Sequence, residues 1–312
     1  MNDLSNKQIS SMDEYNKLIR YKEKLNDVIC QNDFKFTKYR YNDFQKFKNI
    51  LNNKNYQLAC QDNMDTLEFR FKDCLNNGGE SLDLSHLQLN KLPKIPLTIK
   101  NLFCSDNNIE DLYDLVYLQN LEVLDCSANK LKYLPKLPKN IQEIFCKNNQ
   151  IININEISEY NNLKRIDCSH NNLINFPKIM KLEILLCVGN KLVELSGLPC
   201  LKKLNCKDNL LNKIGNFPIL EELECNNNKL LSIDNYPNLK LLFCENNKID
   251  KFDNLPKIEI IHCNGNRIKK IQFFPKLEEL QCDYNDIFLS NNYKISLKGK
   301  TKDNVLIFRF DT

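Results

Sequence analysis

Across residues 182–287 one phrase, Leu-x-x-Leu-x-Cys-x-x-Asn-x-Leu, is written six times. Its first apolar residues, Leu182, Leu201, Leu220, Leu239, Ile258 and Leu277, stand 19 residues apart. The cysteines Cys187, Cys206, Cys225, Cys244, Cys263 and Cys282 keep that period, as do Asn190, Asn209, Asn228, Asn247, Asn266 and Asn285. Such regularity overrides the usual inference from 312 residues to two domains, because a repeat array grows by stacking units rather than by splitting into separate cores. Four further full copies start at Ile99, Leu121, Ile141 and Leu163, carrying Cys104, Cys126, Cys146 and Cys168 and Asn107, Asn129, Asn149 and Asn171. Ahead of them residues 82–89 form a degenerate copy in which Leu87 replaces the asparagine. A terminal unit need not match neighbours on both sides.

The eleven letters of the frame have a physical reading. Alternating apolar residues in Leu-x-Cys make a short strand, and identical strands from successive coils pair in parallel about 4.8 Å apart. An asparagine at a fixed place after the strand turns the chain inward and bonds backbone groups whose burial would otherwise be costly. The cysteines and asparagines are therefore expected to form interior ladders with no chemistry. Only eight residues separate one frame from the next in the 19-residue copies, too few for a helix with two turns. Prolines agree: Pro199, Pro218, Pro237, Pro256 and Pro275 each stand two residues before a copy begins, where a fixed φ and a missing N–H suit extended chain.

The pattern resembles that of leucine-rich repeat proteins over about two thirds of the chain. Leu134-Pro135-Lys136-Leu137-Pro138, followed by Ile141-Gln142-Glu143-Ile144-Phe145-Cys146-Lys147-Asn148-Asn149, is similar to the short-repeat class of bacterial effectors. The Asn-rich, Cys-for-Leu form also resembles repeat proteins of large DNA viruses that infect amoebae. The resemblance implies an α/β solenoid with a parallel sheet on its concave face, an extended or turn-like convex side, and a protein partner. For a viral protein it also implies the host cytoplasm.

The ends depart from the repeat. Residues 1–78 are expected to form a helical capping domain, with apolar spacing for helices over 12–30, 41–51 and 65–75 and a strong breaker at Gly78-Gly79. The solenoid is expected over 79–287. Residues 288–312 read as a β cap, with strands over 293–297 and 305–310 covering the last sheet edge.

Composition narrows the function. The formal charge of +4, from 44 basic and 40 acidic residues, shows no basic stripe of the kind nucleic acid requires. Mean hydropathy is −0.49, no apolar run is long enough for a bilayer, and the first ten residues lack the pattern of a signal peptide, so an intracellular, membrane-free, monomeric protein is expected. Fourteen cysteines would suggest disulfides in a secreted chain, but ten of them occupy one inward place of the repeat. Closely spaced Cys and His of a zinc site are missing, so neither metal nor cofactor is expected. His86, His170 and His262 are the only histidines. A nucleophilic Cys30, Cys60 or Cys74 would need a base nearby, and no histidine precedes His86. No enzyme is expected.

Binding is the better reading, and the third, fifth, seventh and eighth places of each frame supply the surface. One copy presents Ile184, Leu186 and Val188 together, and Leu241, Phe243 and Ile260 make a second apolar group. Phe103 and Phe145 add aromatic anchors, and Asp125, Asp167 and Glu224 add acidic ones. Over those four places ten acids face four bases, a balance of −6 in a chain that is positive overall, so basic residues must favour the outer and lateral surfaces. An acidic, partly apolar trough suits a basic or mixed-charge protein segment. The other expectation is an effector or adaptor whose N-terminal helices recruit ubiquitin or phosphatase machinery.

Overall fold

The computed structural model describes residues 66–285, apart from 114, 270 and 272, together with the backbone of 307–309. The helices expected over 12–30 and 41–51, and the strand expected over 293–297, lie outside these residues. The chain divides into two compact units, residues 1–69 with 92–96 and residues 70–91 with 97–312. The repeats belong to the second.

Helix α1 (Leu67–Asn76) is the third of the expected helices. Thr66 caps it, its Oγ1 accepting the Phe69 N–H at 3.3 Å and so satisfying one of the N–H groups that a first helical turn leaves open. Gly78 and Gly79 both stand at positive φ, +95° and +74°, and the Gly79 N–H bonds the Cys74 carbonyl at 2.8 Å. That left-handed exit closes the helix and starts the first strand.

Each copy then contributes one three-residue strand: β1 (Ser81–Asp83), β2 (Asn101–Phe103), β3 (Val123–Asp125), β4 (Glu143–Phe145), β5 (Arg165–Asp167) and β6 (Ile184–Leu186). The return segments after the sixth copy add β7 (Glu194–Leu195), β9 (Lys213–Ile214), β11 (Ser232–Asp234) and β13 (Lys251–Asp253). Between these the frame strands continue as β8 (Lys203–Asn205), β10 (Glu222–Glu224), β12 (Leu241–Phe243), β14 (Ile260–His262) and β15 (Glu279–Gln281). The frame strands pair in parallel, each with the next copy and in the register of the repeat: Leu185 opposes Leu204, which opposes Leu223. A last strand, β16 (Ile307–Arg309), lies antiparallel to β15 and occupies the edge that β15 would otherwise expose.

Places one, four, six and eleven point inward. In the sixth copy Leu182, Leu185, Cys187 and Leu192 are all fully buried, and the described residues at these places in the other full copies are at most 8% exposed. Burying a leucine is worth about 1.5–3 kcal/mol, so ten copies of one pattern make a continuous core. The return side is extended or turned, as its eight-residue length requires. Among the described residues its regular elements are one 3-10 turn at Asn155–Glu159, a single parallel bridge between Tyr133 and Asn153, and the two-stranded pairs β7 with β9 and β11 with β13. Tyr236 is buried in that layer, and its hydroxyl donates to the Gly215 carbonyl at 2.7 Å.

The asparagine at place nine joins neighbouring copies. Asn209 Nδ2 donates to the carbonyls of Cys187 (2.9 Å), Cys206 (3.2 Å) and Lys207 (3.1 Å), while its Oδ1 accepts the Leu192 N–H at 3.0 Å. One side chain thereby satisfies polar groups of two coils, and the same set recurs from Asn107 to Asn285. Among the described residues no coil precedes the first copy to offer its carbonyl, and there Leu87 takes the asparagine's place. The preceding place is a turn: all eleven copies hold it at positive φ, from Ala128 at +51° to Gly265 at +65°. Asparagine, aspartate and glycine adopt that region most readily, and they fill most of these places.

Candidate functional site

The sheet face is formed by places three and five, with place seven along its margin. Register decides which of these side chains meet. Leu241 lies opposite Ile260 and Phe243 opposite His262, so the apolar group expected there is one patch across β12 and β14. Phe243 and His262 meet edge to face with centroids 4.8 Å apart. Glu222 and Glu224 of β10 flank this patch on one side, and Glu279 of β15 on the other. Ile184 and Leu186 sit between polar strands, Ile184 between Arg165 and Lys203 and Leu186 between Asp167 and Asn205. Phe103 and Phe145 are separated by Asp125. The Arg165 guanidinium lies 5.1 Å from the Phe145 ring centroid, a cation–π contact. All of these side chains except the exposed Lys203, and Val188 with them, are half-buried by their neighbours along the sheet.

Most acids of this face are engaged within the molecule. Asp125 and Asp167 each accept the N–H two residues on, from Ser127 at 2.9 Å and Ser169 at 3.0 Å. Glu222 pairs with Lys203 at 2.7 Å, and Glu224 pairs with Lys207 at 2.8 Å and accepts from Asn205 at 3.1 Å. Glu245 receives Asn226 and Asn264 at 3.1 and 2.8 Å, and Glu279 meets the His262 Nε2 at 2.8 Å. These bonds fix the carboxylates in place, while the balance of −6, which already counts Lys203 and Lys207, is unchanged by them.

The interior cysteines offer no nucleophile. Burial pushes the thiols of Cys126, Cys146, Cys187 and Cys225 far above their ordinary range, so the reactive thiolate is suppressed. Cys282, less enclosed at the last coil, is pushed up to about 12, again chiefly by burial. Among the described residues no His, Cys, Asp and Glu cluster could hold a metal ion, and no helix is long and apolar enough to cross a membrane.

No protein-family model and no curated protein matches the sequence. Solved structures match the fold. YopM from Yersinia pestis, described as a leucine-rich effector protein, is 24% identical with a TM-score of 0.62, over 82% of this chain and 79% of that one. YopM from Yersinia enterocolitica is 23% identical with a TM-score of 0.53, over 82% of this chain and 66% of that one. The leucine-rich repeat domain of APL1B is 20% identical with a TM-score of 0.57, over 71% and 73%. The fold is that of a leucine-rich repeat protein.

In leucine-rich repeat terms, two rows beside the sheet carry what the sequence reading left out. From Lys164 to Glu259 place two alternates in charge between coils: Glu183 pairs with Lys202 at 2.7 Å and Glu221 with Lys240 at 2.8 Å, and only at Glu278, beside Glu259, do like charges adjoin. On the opposite margin, after the asparagines, place twelve is exposed in every described copy and place ten in all but Asn108 and Asn172, on either side of the buried place eleven. Place twelve holds Ile152, Ile174, Val193 and Leu231, which are 63%, 55%, 40% and 59% exposed, more open than any side chain of the sheet patch. Grouping the sequence by place would have found this row, which lies one step past the end of the frame.

Proposed function

We propose that the protein is a non-enzymatic binding module that holds a protein partner on the sheet face of its repeats. The observation that carries this reading is the patch of Leu241, Phe243 and Ile260, continuous across two strands, partly open, and bordered by Glu222, Glu224 and Glu279. An apolar patch rimmed by polar groups is the usual form of an interaction site. Phe103, Phe145, Ile184, Leu186 and Val188 extend the contact along the array, and Asp125, Asp167 and Glu224 select for a basic or mixed-charge segment. That YopM of Yersinia pestis, of the same fold, is described as an effector is consistent with a binding role.

An anchor of this kind is worth about 2 kcal/mol or more once buried in a complex. Capture from lysate by the full chain, read by mass spectrometry beside Leu186→Glu and Phe243→Glu, tests the reading. A partner retained by the parent chain should be lost from both variants while their circular dichroism is unchanged. Equal capture by folded variants would sink the sheet-face assignment.

A further inference from the structure

The margin that follows the asparagine ladder differs from the sheet face in a way that points to a second ligand. Ile152, Ile174, Val193 and Leu231 stand at place twelve of successive copies, and where Asn212 interrupts them Leu210, 42% exposed, stands two residues earlier in the same copy. Each of these five coils thus presents one exposed aliphatic on this margin, four at place twelve and one at place ten. Backbone bonds hold these coils in step: the Asn212 N–H meets the Val193 carbonyl at 3.1 Å, and the Lys229 N–H meets the Leu211 carbonyl at 2.8 Å. Exposed bases at place ten border the row at Lys191 and Lys229 and continue past its end at Lys248 and Arg267, on the next two coils. Among the described residues none of these four has an ion-pair partner, whereas Lys203 and Lys207 on the sheet face do.

We propose that this margin is a docking surface for an acidic amphipathic helix of a partner protein, laid along the stack of coils. Charge complementarity selects an acidic occupant. Spacing selects a helix: coils recur about every 4.8 Å, and a helix presents one face about every 5.4 Å. A β-strand repeats the same face only about every 6.8 Å and falls out of step within three coils. The row is one side chain wide, which suits the apolar stripe of a helix better than a bilayer surface.

The test is selection of displayed peptides of about 18 residues, five helical turns, on the full immobilised chain. Enriched peptides should carry Asp and Glu with apolar residues at i, i+3 or i+4, and i+7. They should lose at least about tenfold in affinity against Val193→Asp/Leu231→Asp and against Lys191→Glu/Lys229→Glu, and none against Phe243→Glu. That last arm separates this surface from the sheet face. Enriched peptides that bind the margin variants as well as the parent chain overturn the proposal. So does a chain that enriches no acidic helix yet retains phosphatidylserine vesicles through the same residues, which would make the margin a lipid contact.

Discussion

The sheet face and the margin beyond the asparagines are both outward surfaces of one repeat, and they treat charge in opposite ways. On the sheet face Glu222, Glu224 and Glu279 are held by Lys203, Lys207 and His262 of neighbouring strands, and the apolar side chains are half-buried. Across the asparagine row, bases such as Lys229 and Lys248 extend without an ion-pair partner among the described residues, beside aliphatics more than half exposed. A surface can be conspicuous in composition and still be satisfied internally. Availability depends on which side chains the coil spacing brings together.

The interior rows beneath both surfaces are the place to break this comparison outright. Burial raises the thiols of Cys187, Cys225 and their neighbours above the unfolded value of about 8.5, so their contribution to stability is complete below about pH 8.5 and is lost as pH rises toward the folded values. Each such thiol adds about 1.4 kcal/mol of lost stability per pH unit above about 8.5, so ten in one row should cost about 20 kcal/mol by pH 10, enough to unfold the chain within that range. Urea melts across that range will check it, and Cys225→Ala should reduce the slope by one thiol's share. A flat profile would mean that the row is not buried.

Asn209→Ala comes next. It strands the carbonyls of Cys187 and Cys206 and the N–H of Leu192, and should lower the unfolding free energy by about 2–4 kcal/mol in chemical denaturation. A smaller effect sharpens the comparison directly. Lys207→Ala should cost less than about 1 kcal/mol because a surface pair is lost, while Lys229→Ala should stay within about 0.5 kcal/mol because none is. Equal losses would erase the distinction between the two surfaces. The smallest effect belongs to Glu221, whose carboxyl is held below its ordinary value by Lys240. That stabilisation is present above the unfolded value of about 4.3 and is lost as pH falls through the folded one, so Glu221→Gln should slightly flatten the acid limb of a stability profile.

The period made the fold legible. Apolar spacing placed every inward side chain from Leu182 to Cys282, and eight residues between frames ruled out a helix on the return side. The left-handed turn at place eight was written in Asp106, Asn148, Asp208, Asn227 and Gly265, but only the backbone torsions give those letters a common cause. For the candidate site the sequence supplied identities without pairings. It named Asp125 as an acid of the face but not the Ser127 N–H that holds its carboxylate, because that bond depends on a turn geometry with no letter of its own. The open row at place twelve was hidden for another reason: hydrophobic residues are read as interior unless a structure exposes them.

The asparagine bonds also bear on how such a chain changes length. Each one reaches one coil back to the same two kinds of backbone group, and from Leu182 to Cys282 every step is 19 residues. Excising residues 201–219 would bring Asn228 against the carbonyl of Cys187, which Asn209 now holds, and leave each remaining coil with an equivalent neighbour. The array is therefore editable in whole units. Duplication or loss of one coil would lengthen or shorten both surfaces together without disturbing the bonds that define them.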